Sequence, residues 1–148
     1  MSVCLDSFAL LAWLQDEPGA AVVEGYLDRA AQERSFACFV SIVNLGEVYY
    51  RIVRTRGPDA ADGFWKLVFR GHLPVKPVQA TRNRVLNAAR LKGAYALAYA
   101  DAFAIQVALE RRVPLVTGDP EIRAVEEREG LKVEWLERRP KRGPRTRS

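Results

Sequence analysis

The chain has 148 residues, of which 49% are hydrophobic, enough for one domain with a substantial core. Its formal charge of +5 originates at one end: Arg138, Arg139, Lys141, Arg142, Arg145 and Arg147 follow one another without an acid, and the remainder carries 17 basic against 18 acidic residues. The body is therefore close to neutral, so the overall pI of 9.5 is no argument for a basic groove.

Met1 to Leu5 reads as a first strand that stops at Asp6-Ser7. Phe8 to Gln15 follows as a helix capped by Asp6 or Ser7 and broken by Asp16-Glu17-Pro18-Gly19. Ala20 to Arg34 is amphipathic, with Val22, Val23, Tyr26, Leu27 and Ala30 on its apolar face. Phe36 to Val40 is a second strand. Ser41 caps a helix from Ile42 to Arg56 that Gly57-Pro58 ends, and another helix runs from Asp59 to Phe69. Leu73 to Val78 is a short strand whose prolines place it near a sheet edge. Thr81 opens a helix to about Leu91, and a further helix spans about Ala100 to Arg112. Val113 to Thr117 is a β-branched run bounded by Gly118, the pattern of an interior strand. Glu121 to Glu129 is a helix ended by Gly130, and Leu131 to Leu136 a last strand.

Strands alternating with helices predict an α/β fold: a three-layer sandwich with a central, largely parallel sheet of about four or five strands, flanked by helices. The domain is expected over residues 1–137. The Pro/Gly/Arg-rich segment 138–148 is expected to be a disordered basic tail that adds nonspecific phosphate contacts. No apolar run approaches the roughly 20 residues that cross a bilayer, and no basic start precedes a long apolar stretch, so a cytoplasmic protein without membrane contact is expected. Cys4 and Cys38 fall in apolar runs and read as buried free thiols. His72 is the single histidine, which leaves zinc and histidine-based triads without ligands.

Four acids stand out by position. In parallel α/β sheets, ligands bind beyond the carboxyl ends of the strands; Asp6 follows the first strand and Asp119 the Val113–Thr117 strand. Glu47 shares a helix face with Val43 and Tyr50, and Asp101 one with Ile105 and Ala108. A carboxylate on an apolar face has to be paired, protonated or bound to a cation. Simpler explanations exist: Asp101 as a helix N-cap and Asp119 as the cap of a Gly-Asp-Pro turn. Should the acids converge, an oxygen-rich site of this kind suits Mg²⁺ or Mn²⁺. The chain has no glycine-rich nucleotide loop, so phosphoryl transfer or phosphodiester hydrolysis by a metal-activated water is the chemistry expected.

The segments Leu5-Asp6-Ser7, Asn44-Leu-Gly-Glu47-Val, Tyr99-Ala-Asp101-Ala and Val116-Thr-Gly-Asp119 resemble, in order and spacing, those of the PIN-domain ribonucleases, specifically the VapC-type toxins of toxin–antitoxin pairs. The resemblance covers about residues 1–135. It implies that Asp6, Glu47, Asp101 and Asp119 line one acidic catalytic pocket, with Asp6, Asp101 and Asp119 as metal ligands for Mg²⁺ or Mn²⁺. It further implies endonucleolytic cleavage of RNA, a homodimer, and a small antitoxin that blocks the pocket. Ser7 and Thr117 stand where the family often places hydroxyls that orient the carboxylates; helix capping and strand-end filling explain them equally well. Arg51 and Arg54, beyond Glu47 on its helix, and Lys92 are candidates for holding RNA phosphates, together with Arg82, Arg84 and Arg90. Phe64-Trp65 and Val68-Phe69 are candidates for an antitoxin groove. Two other functions compete: a noncatalytic RNA-binding module that keeps the pocket, and a magnesium-dependent phosphatase or receiver domain. The latter wants Asp-x-Asp or an adjacent acidic pair where this chain has Asp6-Ser7-Phe8.

Overall fold

Val3–Leu5 (β1) is buried at every position, with no polar alternation, as a strand covered on both faces must be. The computed structural model describes residues 1–137. After β1 come α1 (Ser7–Leu14), α2 (Ala20–Gln32), β2 (Cys38–Ser41), α3 (Ile42–Arg56), α4 (Pro58–Phe69), β3 (Lys76–Val78), α5 (Arg82–Ala94), α6 (Tyr99–Arg111), β4 (Leu115–Thr117), a 3-10 helix (Pro120–Ile122), α7 (Arg123–Arg128) and β5 (Val133–Trp135).

The five strands form one sheet in the order β3-β2-β1-β4-β5, and every pairing is parallel. The pleat sorts the core into two halves. Val3 and Leu5 point into a cluster with Leu10, Val23, Leu45, Phe64 and Val116, while Cys4 between them joins Ile105, Val107, Leu115 and Ile122 on the opposite face. Helices thus cover both faces, and the expected three-layer sandwich is what forms. The strand rich in prolines, β3, lies at an edge as expected, where the missing N–H of Pro77 costs no interior ladder bond.

The strands are shorter than their apolar runs suggest, because the ladder ends before the hydrophobicity does. Flanking residues still contribute single bonds: Val3 N–H donates to Ala37 O (3.0 Å), Cys4 N–H to Pro114 O (2.9 Å) and Leu136 N–H to Thr117 O (2.8 Å). Two helices differ from expectation. α5 runs on to Ala94 through Gly93, which faces open space, and the helix expected over 121–129 divides into the 3-10 turn and α7. Cys4 and Cys38 are buried and free, as expected. Among the described residues no helix is long and apolar enough to cross a membrane. The expectations for the basic tail, 138–148, lie outside the described residues.

Candidate functional site

From β1 the chain builds the sheet outward through β2 to β3, then returns to place β4 and β5 on the other side of β1. The direction reverses between β1 and β4, and a crevice opens at the carboxyl ends of such a strand pair. Asp6 is the first residue after β1. Thr117 ends β4, with Asp119 two residues on. α3 leaves the same end of β2 and carries Asn44 and Glu47. Because α6 descends into β4, its N-terminus lies at that end as well and brings Asp101.

Asp6 is wholly buried and N-caps α1, its Oδ1 accepting from Ala9 N–H at 2.8 Å. Its Oδ2 accepts from the Thr117 hydroxyl. Thr117 Oγ1 in turn accepts from Asp119 N–H (3.1 Å), so one buried hydroxyl ties the ends of β1 and β4 together. Burial pushes the Asp6 carboxyl up to about 7; the bonds from Thr117 and Ala9 hold it down, while the charges of Asp119 and Glu47 raise it further. Asp101 is not the N-cap of α6; Ala98 is, and Asp101 lies inside the first turn, 8% exposed. No donor among the described residues reaches Asp101 Oδ2. Burial lifts this carboxyl well above the usual range, and the Asp119 carboxylate beside it, then Asp6 and Glu47, add to the rise. Asp119 caps the 3-10 turn through Glu121 N–H (3.0 Å), the role its Gly-Asp-Pro setting suggested, and still faces Asp101.

The four acids therefore converge, but not as equals. A pocket of about 440 Å³ is lined by Glu47, Asp101, Asp119 and Glu121, with Ser7 and Arg51 beside them. Asp6 lies behind this wall with both oxygens engaged. Two residues given no role from the sequence belong here. Asn44 is fully buried: its Nδ2 donates to Ser7 Oγ (3.0 Å) and to Ala100 O (3.1 Å), pinning α3 to α1 and to the start of α6. Its spacing of one turn before Glu47 was the available signal. Glu121 groups with Asp101 and Asp119, one carboxylate oxygen from each lying within 4.8 Å of the others. Nothing in the turn sequence Asp-Pro-Glu distinguishes it from a helix-opening acid. Gly118 is also fixed by the site, because a Cβ there would fall on the Phe8 ring.

Among the described residues, Arg51 is the one basic candidate that borders the pocket, its Nη2 4.0 Å from Glu47 Oε2, with Tyr50 OH donating to the same oxygen at 3.4 Å. Arg54 stacks over the Tyr50 ring. Arg84 is bound to Glu110 and to Gln79 O, and Lys92 Nζ donates to Leu97 O (2.7 Å), so both hold structure together.

Thr117→Val keeps the shape of the side chain and removes both hydrogen bonds, leaving the buried Asp6 Oδ2 without its donor while Oδ1 keeps Ala9 N–H. The expected cost is about 1–3 kcal/mol, read from urea denaturation in EDTA, while Thr117→Ser stays near wild type. Equal stability of the Val and Ser variants would show the hydroxyl to be dispensable.

The profile of the PIN domain family matches residues 3–128. No curated protein matches the chain. Among solved structures it is similar to a chain of VapBC2 from Rickettsia felis bound to a promoter DNA fragment, with TM-score 0.69 and 13% identity, covering 93% of this chain and 100% of that one. VapBC-1 from nontypeable Haemophilus influenzae aligns with TM-score 0.66 and 12% identity over 91% and 98% of the two chains. VapC20 from Mycobacterium tuberculosis, described as a sarcin-ricin loop cleaving toxin, gives 0.64 and 16% over 83% and 94%. At such identities the likeness is one of fold.

Proposed function

Because this chain belongs to the PIN domain family, we propose that it is a metal-dependent endoribonuclease, the toxin of a toxin–antitoxin pair, acting in the cytoplasm. The observation that carries this reading is the Asp101 carboxylate: buried, without a hydrogen-bond donor at Oδ2 among the described residues, and turned toward Asp119 in a pocket at the switch point of the sheet. Such an arrangement suits a hard divalent cation, and the donor set is all oxygen.

Asp101 and Asp119 would hold Mg²⁺ or Mn²⁺ from the pocket side. Asp6 backs them with its charge, held in place by Ala9 N–H and the Thr117 hydroxyl. When bound, the ion supplies a lowered pKa for water and shields charge on the scissile phosphate. Glu47, which also lines the pocket, offers a carboxylate that takes a proton from the attacking water. Arg51, whose side chain is 56% exposed at the rim, presents its guanidinium to a phosphate oxygen. Ser7 and Asn44 fix the distance between the walls through their mutual hydrogen bonds.

A second, largely apolar groove adjoins the pocket and shares Leu11 and Gln15 with it; Leu14, Ile52, Phe64 and Leu67 are among the residues that line the rest. Its continuity with the acids supports the antitoxin as a partner that covers both. The homodimer remains part of the proposal, with Val85 and Leu86 of α5 among the exposed apolar residues available to it. Light scattering on the purified chain measures it.

The purified chain with single-stranded RNA and Mn²⁺ is expected to cut internally, leaving 5′-phosphate and 3′-hydroxyl ends, and EDTA is expected to stop the reaction. Cutting that survives EDTA, or that persists equally in Asp119→Asn, would refute the metal-dependent reading. Binding of RNA without any cleavage would favour the noncatalytic module.

A further inference from the structure

Glu47, Tyr50, Arg51 and Arg54 recur at spacings of three and four along α3, so they form one stripe on its surface. The stripe starts at the pocket, which Glu47 and Arg51 line, and runs toward the C-terminus of α3. We propose that Tyr50, with Arg54 against its ring, is a stacking platform for an unpaired base of the RNA, beside the nucleotide whose phosphate enters the pocket. The inference rests on the reading of RNA as the ligand of this pocket.

Two contacts hold the ring at the rim. The Tyr50 hydroxyl donates to Glu47 Oε2 at 3.4 Å, a long bond that places the ring one helical turn, about 4.5 Å along the axis, from a residue of the pocket wall. The Arg54 guanidinium lies 5.1 Å from the ring centroid, a cation–π contact that restrains the tilt of the ring. Tyr50 nevertheless stays 42% exposed. Among the described residues no carboxylate pairs with Arg54, and no other aromatic ring packs on Tyr50. Tyr26, Tyr49 and Tyr99 differ, since they pack on Phe36, Trp65 and Phe103.

A restrained ring that no other ring covers leaves apolar surface in water beside a site for a polyanion. Every base has a π-face, so stacking holds RNA without reading its sequence, and an arginine behind the ring strengthens it. Arg51, its side chain 56% exposed, adds a second cation between Tyr50 and the pocket. The pocket acids repel RNA, and the two arginines oppose that repulsion with contacts that salt screens. Stacking is an attraction that does not depend on charge. A base reaches a protein ring when it has left its own helix, so the platform admits single strands and loops and turns duplexes away.

The test is binding of the full chain, in EDTA and at low salt, to two strands of equal length and charge: an oligouridylate and the same ribose-phosphate chain without bases. Fluorescence anisotropy gives Kd for wild type, Tyr50→Ala and Tyr50→Phe, with melting temperatures measured alongside. Wild type is expected to prefer the strand that has bases. Tyr50→Ala is expected to lose about 5- to 150-fold of that preference, the range for one stacked base, and to bind the baseless strand as wild type does. Tyr50→Phe keeps the ring and is expected to restore the preference. An unchanged preference in Tyr50→Ala overturns the inference, and so does an equal loss on both strands. A loss in Tyr50→Phe as large as in Tyr50→Ala also overturns it, because the hydroxyl bond to Glu47 would then be the cause. A lowered melting temperature with unchanged preference assigns Tyr50 to the stability of α3 instead. Cleavage in Mn²⁺ is scored separately. If wild type prefers bases and cuts nothing, the nuclease reading fails and the platform stands; if it distinguishes neither strand, the platform falls whatever cleavage shows.

Discussion

Asp101→Asn is expected to abolish RNA cleavage while raising the stability of the metal-free protein. The two effects share one cause. The Asp101 carboxylate is buried beside Asp119, with Asp6 and Glu47 near enough to raise its pKa further, and Oδ2 lacks a donor among the described residues. Asparagine keeps the shape, removes an acid whose ionised form the fold disfavours, and offers an N–H to the facing carboxylate. In EDTA at neutral pH the gain is expected to be at least about 1.4 kcal/mol, the equivalent of one pKa unit. Activity should fall at least about 100-fold, since several kcal/mol of charge stabilisation at the phosphate depend on the ion being held there. A structural acid behaves oppositely. If Asp101→Asn destabilises the protein and its folded fraction cleaves at full rate, Asp101 serves the fold and the nuclease reading loses its centre.

The order of elements was legible because it is local. Apolar runs mark the strands, and caps such as Asp6, Ser41 and Thr81 mark where helices begin. The order β3-β2-β1-β4-β5 was not, since nothing in a three-residue strand names its neighbour. The oddity of Asp101 was readable from the apolar company it keeps along α6. That it is no cap follows from the helix starting at Tyr99, with Ala98 in the capping position and Asp101 inside the first turn. At Asp6 the capping and site readings are both true, so Asn is the substitution there that removes charge and keeps the bond from Ala9 N–H. Lys92 illustrates the limit of charge as a signal: a lysine beside a glycine suggests a phosphate contact, but its ammonium closes the α5–α6 connection through Leu97 O. Glu121 was hidden for a different reason. It is exposed and sits in a turn, where neither periodicity nor burial marks a residue, and only the path of the chain after β4 brings it to Asp101.

The same buried acids set a pH dependence whose sign is unusual. Most paired carboxylates stabilise a protein as pH rises. Here the Asp6 carboxyl moves from its ordinary 3.8 up to about 7, and burial next to Asp119 raises Asp101 as well. Below 3.8 both folded and unfolded chains hold these protons, and the acids impose no penalty. Above it the unfolded chain releases them and the folded chain does not, so the folded state binds more protons and its stability falls with rising pH. The fall continues through about pH 7 for Asp6 and on toward the raised value of Asp101, then levels. Exposed pairs such as Glu110 with Arg84, whose carboxyl is held low, act in the opposite sense but only at lower pH. Mn²⁺ should reverse the trend, because it binds the ionised carboxylates that pH otherwise makes costly. At a concentration 100 times its dissociation constant it adds about 2.7 kcal/mol, and this increment grows as the acids lose their protons. Urea midpoints between pH 4.5 and 8 are therefore expected to decline in EDTA and to hold or climb in Mn²⁺, the two curves diverging upward in pH. A flat curve in EDTA would mean the carboxylates are not buried together. Parallel curves would mean that the ion, if it binds, binds elsewhere.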